Sequence, residues 1–364
     1  MKLRCERDVL AEAIGIAGRA VSTKGTSLPV LAGVRMSLEG DRLAVTGSDL
    51  DLTITVTEPV AGSADGVTVV PARLAADIAK ALEPGAVDLE AMGSEVVIRS
   101  GRSEFTLRAI PAEEFPQVPE PEGEGVTVQS QLLSEALSQV VPAASNDDSR
   151  PILTGVLFEA TDTGLRLVAT DSYRLAVRDL TGTTVLDPGT RILVPSRALA
   201  ELGRILVSGE SVSLVVGERD ASFVAGRVRL TTRLIEGEFP NYAALIPERH
   251  PNRLTADKAE LLEAIRRVRI LARDGAPVRF KQSAEGLELE AISQDLGTAR
   301  EVLQVDYEGG DLMVAFNPDY LWDGVSVTPG EKVLLETLDS TKPAVFRSPD
   351  RDDFTYLLMP VRVT

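Results

Sequence analysis

The sequence has 364 residues, enough for two or three domains that each bury a core, and its 44% hydrophobic and 26% charged residues are those of an ordinary globular protein. No apolar run reaches the ~18–20 residues that span a bilayer, the N-terminal Met1-Lys-Leu-Arg-Cys-Glu-Arg-Asp lacks the apolar stretch of a secretory signal, and the single cysteine, Cys5, excludes an internal disulfide and makes the cytoplasm the expected location. A net charge of −17 argues against an evenly basic nucleic-acid-binding surface, though not against basic residues gathered on one face.

Residues 6–21 predict a helix, because Val9 and Leu10, Ala13 and Ile14, then Ala17 and Ala20 recur at three-to-four spacing. Leu28-Pro-Val-Leu-Ala-Gly-Val34 leads into a strand-like segment at Arg35–Leu38. Leu43-Ala-Val-Thr-Gly-Ser-Asp49 and the alternation Leu50, Leu52, Ile54, Val56 then predict two strands with a polar corner between them. Val70-Pro-Ala-Arg-Leu-Ala-Ala-Asp-Ile-Ala-Lys80 predicts a second helix, with Pro71 in its first turn and Leu74, Ile78 and Leu82 as its apolar stripe. Three strands are expected near 86–91, 95–100 and 104–110. The block closes on Phe115-Pro116, and Pro119-Glu-Pro-Glu-Gly-Glu-Gly125 reads as a linker.

The same order then repeats. Residues 130–141 carry a helical pattern, and Arg150-Pro-Ile-Leu-Thr-Gly-Val156 echoes Leu28–Val34. Leu165-Arg-Leu-Val-Ala-Thr-Asp-Ser-Tyr-Arg-Leu-Ala-Val177 repeats the strand, corner and strand, and a third copy starts at Leu287-Glu-Leu-Glu-Ala-Ile-Ser293, so that positions 43, 165 and 287 are spaced 122 residues apart. Val194-Pro-Ser-Arg197 echoes Val70-Pro-Ala-Arg73, and Phe239-Pro240 echoes Phe115-Pro116. Pro247–Arg253 forms a second linker containing the only histidine, His250, which reads as a solvated loop residue. In the third block a helix is expected from an N-cap at Thr255 to Arg273, Phe316-Asn-Pro-Asp-Tyr-Leu321 opens a further helix, and Met359-Pro360 takes the place of the Phe-Pro pairs on a terminal strand. An α+β chain of three equivalent domains follows, at 1–120, 126–247 and 254–364, each with two helices and about eight strands.

Basic residues recur with the repeat. Arg73 and Lys80 lie seven apart on one helical face, Arg197 and Arg204 repeat both positions, and Arg266, Arg269 and Arg273 share a face in the third block, where Asp319 takes the slot of Arg73 and Arg197. Lys24 and Arg150 precede the two Pro-containing strand starts. Asp49 and Asp171 also recur, which invites a paired-carboxylate or metal reading. The third copy has Ser293, and an Asp in such a corner is suited to local turn hydrogen bonds. No GxxxxGK[ST], CxxC pair or HExxH is present, so no catalytic group, cofactor or metal is expected. Leu357, Leu358, Met359 and Val361 near the C-terminus read as core, the alternative being that Met359 and Pro360 line a groove for a partner's apolar side chains.

Leu28-Pro-Val-Leu31, Val70-Pro-Ala-Arg73, Thr170-Asp-Ser-Tyr-Arg-Leu-Ala-Val177, Phe239-Pro-Asn-Tyr242, Phe316-Asn-Pro-Asp-Tyr-Leu321 and Met359-Pro-Val-Arg362 together resemble the bacterial sliding-clamp family, the β subunit of DNA polymerase III, over the whole chain. The resemblance implies a head-to-tail homodimer, a six-domain ring around double-stranded DNA that is held without regard to sequence. It implies a DNA polymerase III processivity factor that is not an enzyme, with the clamp loader and other polymerases as further partners. Lys24, Arg73, Lys80, Arg150, Arg197 and Arg204 would face DNA. A linear-motif groove would comprise Leu153, Thr170, Ser172, Tyr173, Arg174 and Leu175, with Pro240, Leu245, Pro343, Leu357, Met359 and Pro360. Gly and His often stand in the family where this chain has Ser172 and Tyr173, which would alter peptide preference. Phe105 and Leu107 would meet Ile270 and Leu271 at the dimer seam, which would bury Ile270, a residue outside its helix's apolar stripe. The competing readings are a clamp paralogue kept as a drug-tolerant spare, a peptide-binding scaffold that never meets DNA, and a metal-dependent enzyme using Asp49 and Asp171.

Overall fold

A computed structural model describes residues 1–22, 28–116, 125–206, 210–247, 249–272 and 275–362. Lys24, Arg273 and most of the first linker lie outside them. Six α-helices are described: α1 Arg7–Ala17, α2 Ala72–Ala81, α3 Ser130–Val140, α4 Ser196–Ile205, α5 Lys258–Val268 and α6 Pro318–Val327. The chain divides into two compact units, Met1–Gln131 with Glu201–Leu234, and Leu132–Ala200 with Ile235–Thr364. Each of the three repeats therefore contributes two helices, and α3 and α4 each run from one set of residues into the other.

In the first unit a five-stranded sheet runs Ala61–Ala64, Lys2–Glu6, Ala86–Met92, Glu95–Ser100, Ser103–Arg108. An eight-stranded sheet joins Val126–Gln129, Ser211–Val216, Asp220–Ala225 and Val228–Arg233 to Leu52–Pro59, Arg42–Ser48, Gly33–Glu39 and Gly66–Pro71. The join is a strand of the second repeat lying antiparallel to one of the first, with Leu230 opposite Ile54. In the second unit a nine-stranded sheet is joined in the same way, Arg174–Thr181 against Phe354–Leu358, with Arg174 opposite Leu358. A four-stranded sheet runs Gly297–Leu303, Gly286–Ser293, Val278–Ser283, Leu312–Phe316.

Alternation places the core where the sequence puts it. Leu43 and Val45 are buried on one strand, and Leu52, Ile54 and Val56 on the next. Helix α1 buries Leu10, Ala13, Ile14 and Ala17, the face its spacing predicts. Helix α2 departs from expectation. Its buried face is Ala72, Ala75, Ile78 and Ala79, and Leu74 is 48% exposed. Small alanines face inward, which turns Leu74 to the edge. Pro71 sits at the N-cap, ending the Gly66–Pro71 strand, rather than inside the first turn.

Other boundaries also move. Thr255 is not a cap: it lies in the strand Asn252–Asp257, and α5 starts three residues later because the Asp257 side chain accepts the Glu260 N–H at 2.9 Å. The terminal strand stops at Leu358. Leu52 lies opposite Thr232 as Arg174 lies opposite Leu358, so Met359 corresponds to Arg233 and not to Phe239. His250 is not solvated: its side chain is 12% exposed, with Nδ1 3.8 Å from the Glu336 carboxylate. Burial holds its pKa below the usual value against the pull of that carboxylate. Cys5 is buried in the first strand, where burial pushes its thiol up to about 11, and so it stays protonated.

Candidate functional site: a peptide groove and basic helix faces

Two corners of the same local design link the paired strands. In the first repeat Ser48 Oγ accepts the Leu50 N–H at 3.2 Å, and Asp49 Oδ1 accepts the N–H groups of Asp51 and Leu52 at 3.1 and 2.8 Å. In the second repeat Thr170 Oγ1 accepts the Ser172 N–H at 3.1 Å, and Asp171 Oδ1 accepts those of Tyr173 and Arg174 at 2.9 and 3.0 Å. Both turns put a non-glycine residue in the left-handed region, Leu50 at φ 83° and Ser172 at φ 81°. The two aspartates are thus turn-formers, as the corner reading expects. Among the described residues no group of three or more His, Cys, Asp or Glu is placed to hold a metal ion.

The second corner adds features the first lacks. Arg174, only 8% exposed, donates from Nε to Asp171 Oδ2 at 3.0 Å and from Nη1 to Asp323 Oδ2 at 2.5 Å. Its guanidinium lies 4.1 Å from the centre of the Tyr320 ring, and the Tyr173 ring packs on Tyr320 at 6.4 Å. Burial and the nearby Asp171 raise the Tyr320 pKa, so its phenol stays neutral at physiological pH. Met359 N–H donates to the Tyr173 carbonyl at 2.8 Å, which ties the residue after the terminal strand to this corner, and Val361 N–H donates to that of Ala315, on the four-stranded sheet, at 2.7 Å.

Most of the residues implied for the groove gather here. Leu175 and Leu357 lie opposite one another and share a buried apolar cluster with Leu157, Val168, Val177, Leu193 and Tyr242. Ile152, Ile235, Phe239 and Ile246 pack against it, placing Leu153, Pro240 and Leu245 next in chain to its rim. Pro343 precedes Ala344, which lies opposite Leu358, and Pro360 follows Met359. Leu153, Thr170, Leu175 and Leu357 are buried, whereas Tyr173 at 60%, Leu245 at 48% and Met359 at 37% leave apolar surface exposed beside that floor. Tyr242, whose phenol donates to Glu159 Oε2 at 2.5 Å, was not singled out from sequence, and neither were Tyr320 and Asp323. Burial, then the Glu159 carboxylate, raises the Tyr242 pKa. The Phe-Pro-Asn-Tyr run could have flagged Tyr242; nothing local marks Asp323.

The basic residues divide. Arg73 and Lys80 are exposed on α2, as are Arg197 and Arg204 on α4, where Arg204 pairs with Glu201. Arg150 belongs to the second corner: it pairs with Asp147 at 2.9 Å and donates to Ser172 Oγ at 3.2 Å and the Asp171 carbonyl at 3.5 Å. Lys24 lies outside the described residues. In the third repeat Arg269 pairs with Asp319 at 2.7 Å, so the acid in the slot of Arg73 and Arg197 is neutralised by the neighbouring helix. Phe105 and Ile270 are exposed, Leu271 is half-buried and Leu107 is buried.

Two antiparallel sheets shared between successive repeats, a repeated corner and one elaborated corner define a three-repeat clamp chain. Models of the N-terminal, central and C-terminal domains of the DNA polymerase III beta subunit match residues 1–119, 127–241 and 243–362. The chain is 36% identical to the beta sliding clamp of Streptomyces coelicolor and 32% identical to that of Bacillus subtilis, each over 377 aligned positions and the full length of both chains. The crystal structure of the Bacillus subtilis DNA polymerase sliding clamp matches at a TM-score of 0.93 and 31% identity, covering both chains completely. The Pseudomonas aeruginosa clamp bound to griselimycin matches at 0.93 and 30%, again over both whole chains. The chain belongs to the DNA polymerase III beta subunit family, the bacterial sliding clamps, and its role is that of a non-catalytic processivity subunit.

Proposed function

We propose that this chain closes with a second copy into a ring around duplex DNA, and that the groove beside the second corner captures linear motifs of DNA polymerase III, other polymerases and the clamp loader. The work is cytoplasmic. No helix among the described residues is long and apolar enough to cross a membrane.

The observation that carries the ring is the arithmetic of the sheets. Each junction between repeats pairs a strand such as Leu52–Pro59 or Arg174–Thr181 with Val228–Arg233 or Phe354–Leu358. The repeat offset makes Gly297–Leu303 the third member of the former set and Ser103–Arg108 the third member of the latter. These two are edge strands, at the ends of the four- and five-stranded sheets. An unpaired edge invites another strand, and a second copy would complete a nine-stranded sheet at each of two seams. Phe105 and Leu107 lie on one of these edges. Ile270 and Leu271, just beyond α5, supply apolar surface for the other side of the seam.

Within such a ring Arg73, Lys80, Arg197 and Arg204 would supply dispersed phosphate contacts while the acidic surplus stays elsewhere, which reconciles the net charge with DNA. Because the ring holds DNA topologically, weak contacts suffice. The test is loading onto nicked circular DNA by a clamp loader. Arg73→Glu with Arg197→Glu is expected to lower loading about tenfold at moderate salt while the mass in solution stays near twice 38.9 kDa. Unaltered loading would overturn the assignment of Arg73 and Arg197 to a DNA-facing surface, and no loading of the unsubstituted chain would leave a peptide-binding scaffold that does not meet DNA. A stable monomer in the unsubstituted chain would overturn the ring.

A further inference from the structure

We propose that Asp323 is a positioning residue of the peptide groove: it holds the Arg174 guanidinium, and through it the Tyr173–Tyr320 wall, in the form that receives a peptide. The proposal rests on the groove reading above. Asp323 lies 149 residues from Arg174 in sequence and in a different repeat.

Arg174 is gripped at two points. Asp171 Oδ2 takes Nε at 3.0 Å, and that carboxylate is itself fixed by the turn N–H groups of Tyr173 and Arg174. Asp323 Oδ2 takes Nη1 at 2.5 Å. A planar guanidinium held by one carboxylate can still rotate about that contact; a second from another direction fixes its plane. The plane matters because Tyr320 lies over it at 4.1 Å and Tyr173 lies against Tyr320 at 6.4 Å and 32°. Tyr173 is the exposed ring of the stack, so the surface a peptide meets inherits its position from a buried cation.

The sequence seats α6 to make this reach possible. Asn317 Oδ1 caps the helix by accepting the N–H groups of Asp319 and Tyr320 at 2.9 and 3.1 Å. Gly324, next to Asp323, faces the Tyr356 ring so closely that a Cβ would fall 2.2 Å from Cε1, and only glycine permits that approach. The Tyr356 hydroxyl donates to the Tyr320 carbonyl at 2.8 Å, and Tyr356 lies opposite Ala176, on the same strand as Arg174.

The first corner shows what happens without the cation. Leu52 stands where Arg174 stands, and Glu201 of α4 occupies the position of Asp323 on α6. Glu201 pairs with Arg204, and with Arg19 at 3.9 Å. An acid at this helical position is thus shared, while its use to hold a corner arginine belongs to the second corner.

The test uses the full chain and a fluorescein-labelled peptide carrying the clamp-binding motif of its own replicative polymerase, read by anisotropy and stopped flow. Asp323→Asn is expected to weaken binding about tenfold, chiefly through faster dissociation, with dimer mass unchanged and the melting midpoint within about 2 °C. Asp323→Glu is expected to recover affinity to within about threefold of the unsubstituted chain. In a 15N spectrum the Arg174 Nη1 hydrogens, which Asp323 holds, should be protected from water exchange in the unsubstituted chain and exchange faster in Asp323→Asn, while the Nε–H held by Asp171 stays protected. Equal affinity for Asp323→Asn, or a loss that appears only with falling stability and dimer mass, overturns the role of Asp323 and leaves the groove standing. If the unsubstituted chain ignores the peptide, or if binding survives deletion of Met359–Thr364, the groove reading falls and the role of Asp323 falls with it.

Discussion

The two corners Ser48–Leu52 and Thr170–Arg174 share their backbone hydrogen bonds and differ in the side chains gathered around them. Each is built from a hydroxyl and a carboxylate that accept the N–H groups of the turn, and each carries one residue at positive φ. In the first, the residue at that φ is Leu50, 42% exposed, and the next strand begins with apolar Leu52. In the second, Ser172 offers a hydroxyl to Arg150, and the strand begins with Arg174, which gathers Asp171, Asp323 and Tyr320 around it. A duplicated turn thus stands alone in one copy and, in the other, carries the buried arginine and aromatic pair of the proposed groove wall. The lesson is that local hydrogen bonding conserves the shape while the residues pointing away from it are free to acquire a role.

The comparison can be broken most directly by giving the second corner the residue of the first. Arg174→Leu is expected to lower affinity for the polymerase-derived peptide at least about a hundredfold, because the wall loses the cation that orders it and two carboxylates lose their partner. Retention of near-normal binding would show that the corner's elaboration is incidental. The aspartates come next. Asp49→Ala should cost about 1 kcal/mol, the loss of two turn hydrogen bonds, whereas Asp171→Ala should cost about 3 kcal/mol, because it also strips a buried guanidinium of one carboxylate. Denaturant midpoints of the two variants would measure the gap, and equal costs would mean that Asp171 does no more than Asp49.

The smallest effect is also the sharpest discriminator. Leu50→Gly relieves a strained φ at an exposed position and should stabilise the chain by about 0.5 kcal/mol. Ser172→Gly gives the same relief but forfeits the hydroxyl that accepts from Arg150, so its net change should be near zero. Thermal melting of the pair, compared under one buffer, tests whether the Arg150 contact contributes anything.

Hydrophobic period and a 122-residue spacing were enough to read three α+β repeats, the helix positions to within a few residues, and the turn role of Asp49 and Asp171. These are consequences of local geometry, since alternation, three-to-four spacing and an Asp two residues before an N–H all act within a few bonds. Where reading failed, competing local signals had to be settled by partners far off in sequence. Thr255 offers a cap, yet strands at Asp306–Glu308 and Lys332–Thr337 claim its backbone and leave the cap to Asp257. Leu74 fits an apolar stripe, yet close packing prefers the alanine face. His250 looks like a linker residue until Glu336 is placed beside it.

The candidate site divides along the same line. The sequence by itself determined the repeat, the corner and the family resemblance that named most of the groove, because those are carried by contiguous residues. Only the tertiary structure decided that exposed Arg150 reaches the second corner, that Met359 aligns with Arg233 in register, and that Asp323 and Tyr320 close on Arg174. A buried charge takes its partners from whatever elements the packing brings within about 3 Å. That choice is made by the register of Arg174–Thr181 on Phe354–Leu358 and by the close seat of α6 over Tyr356, neither of which leaves a mark on the residues nearby in the chain.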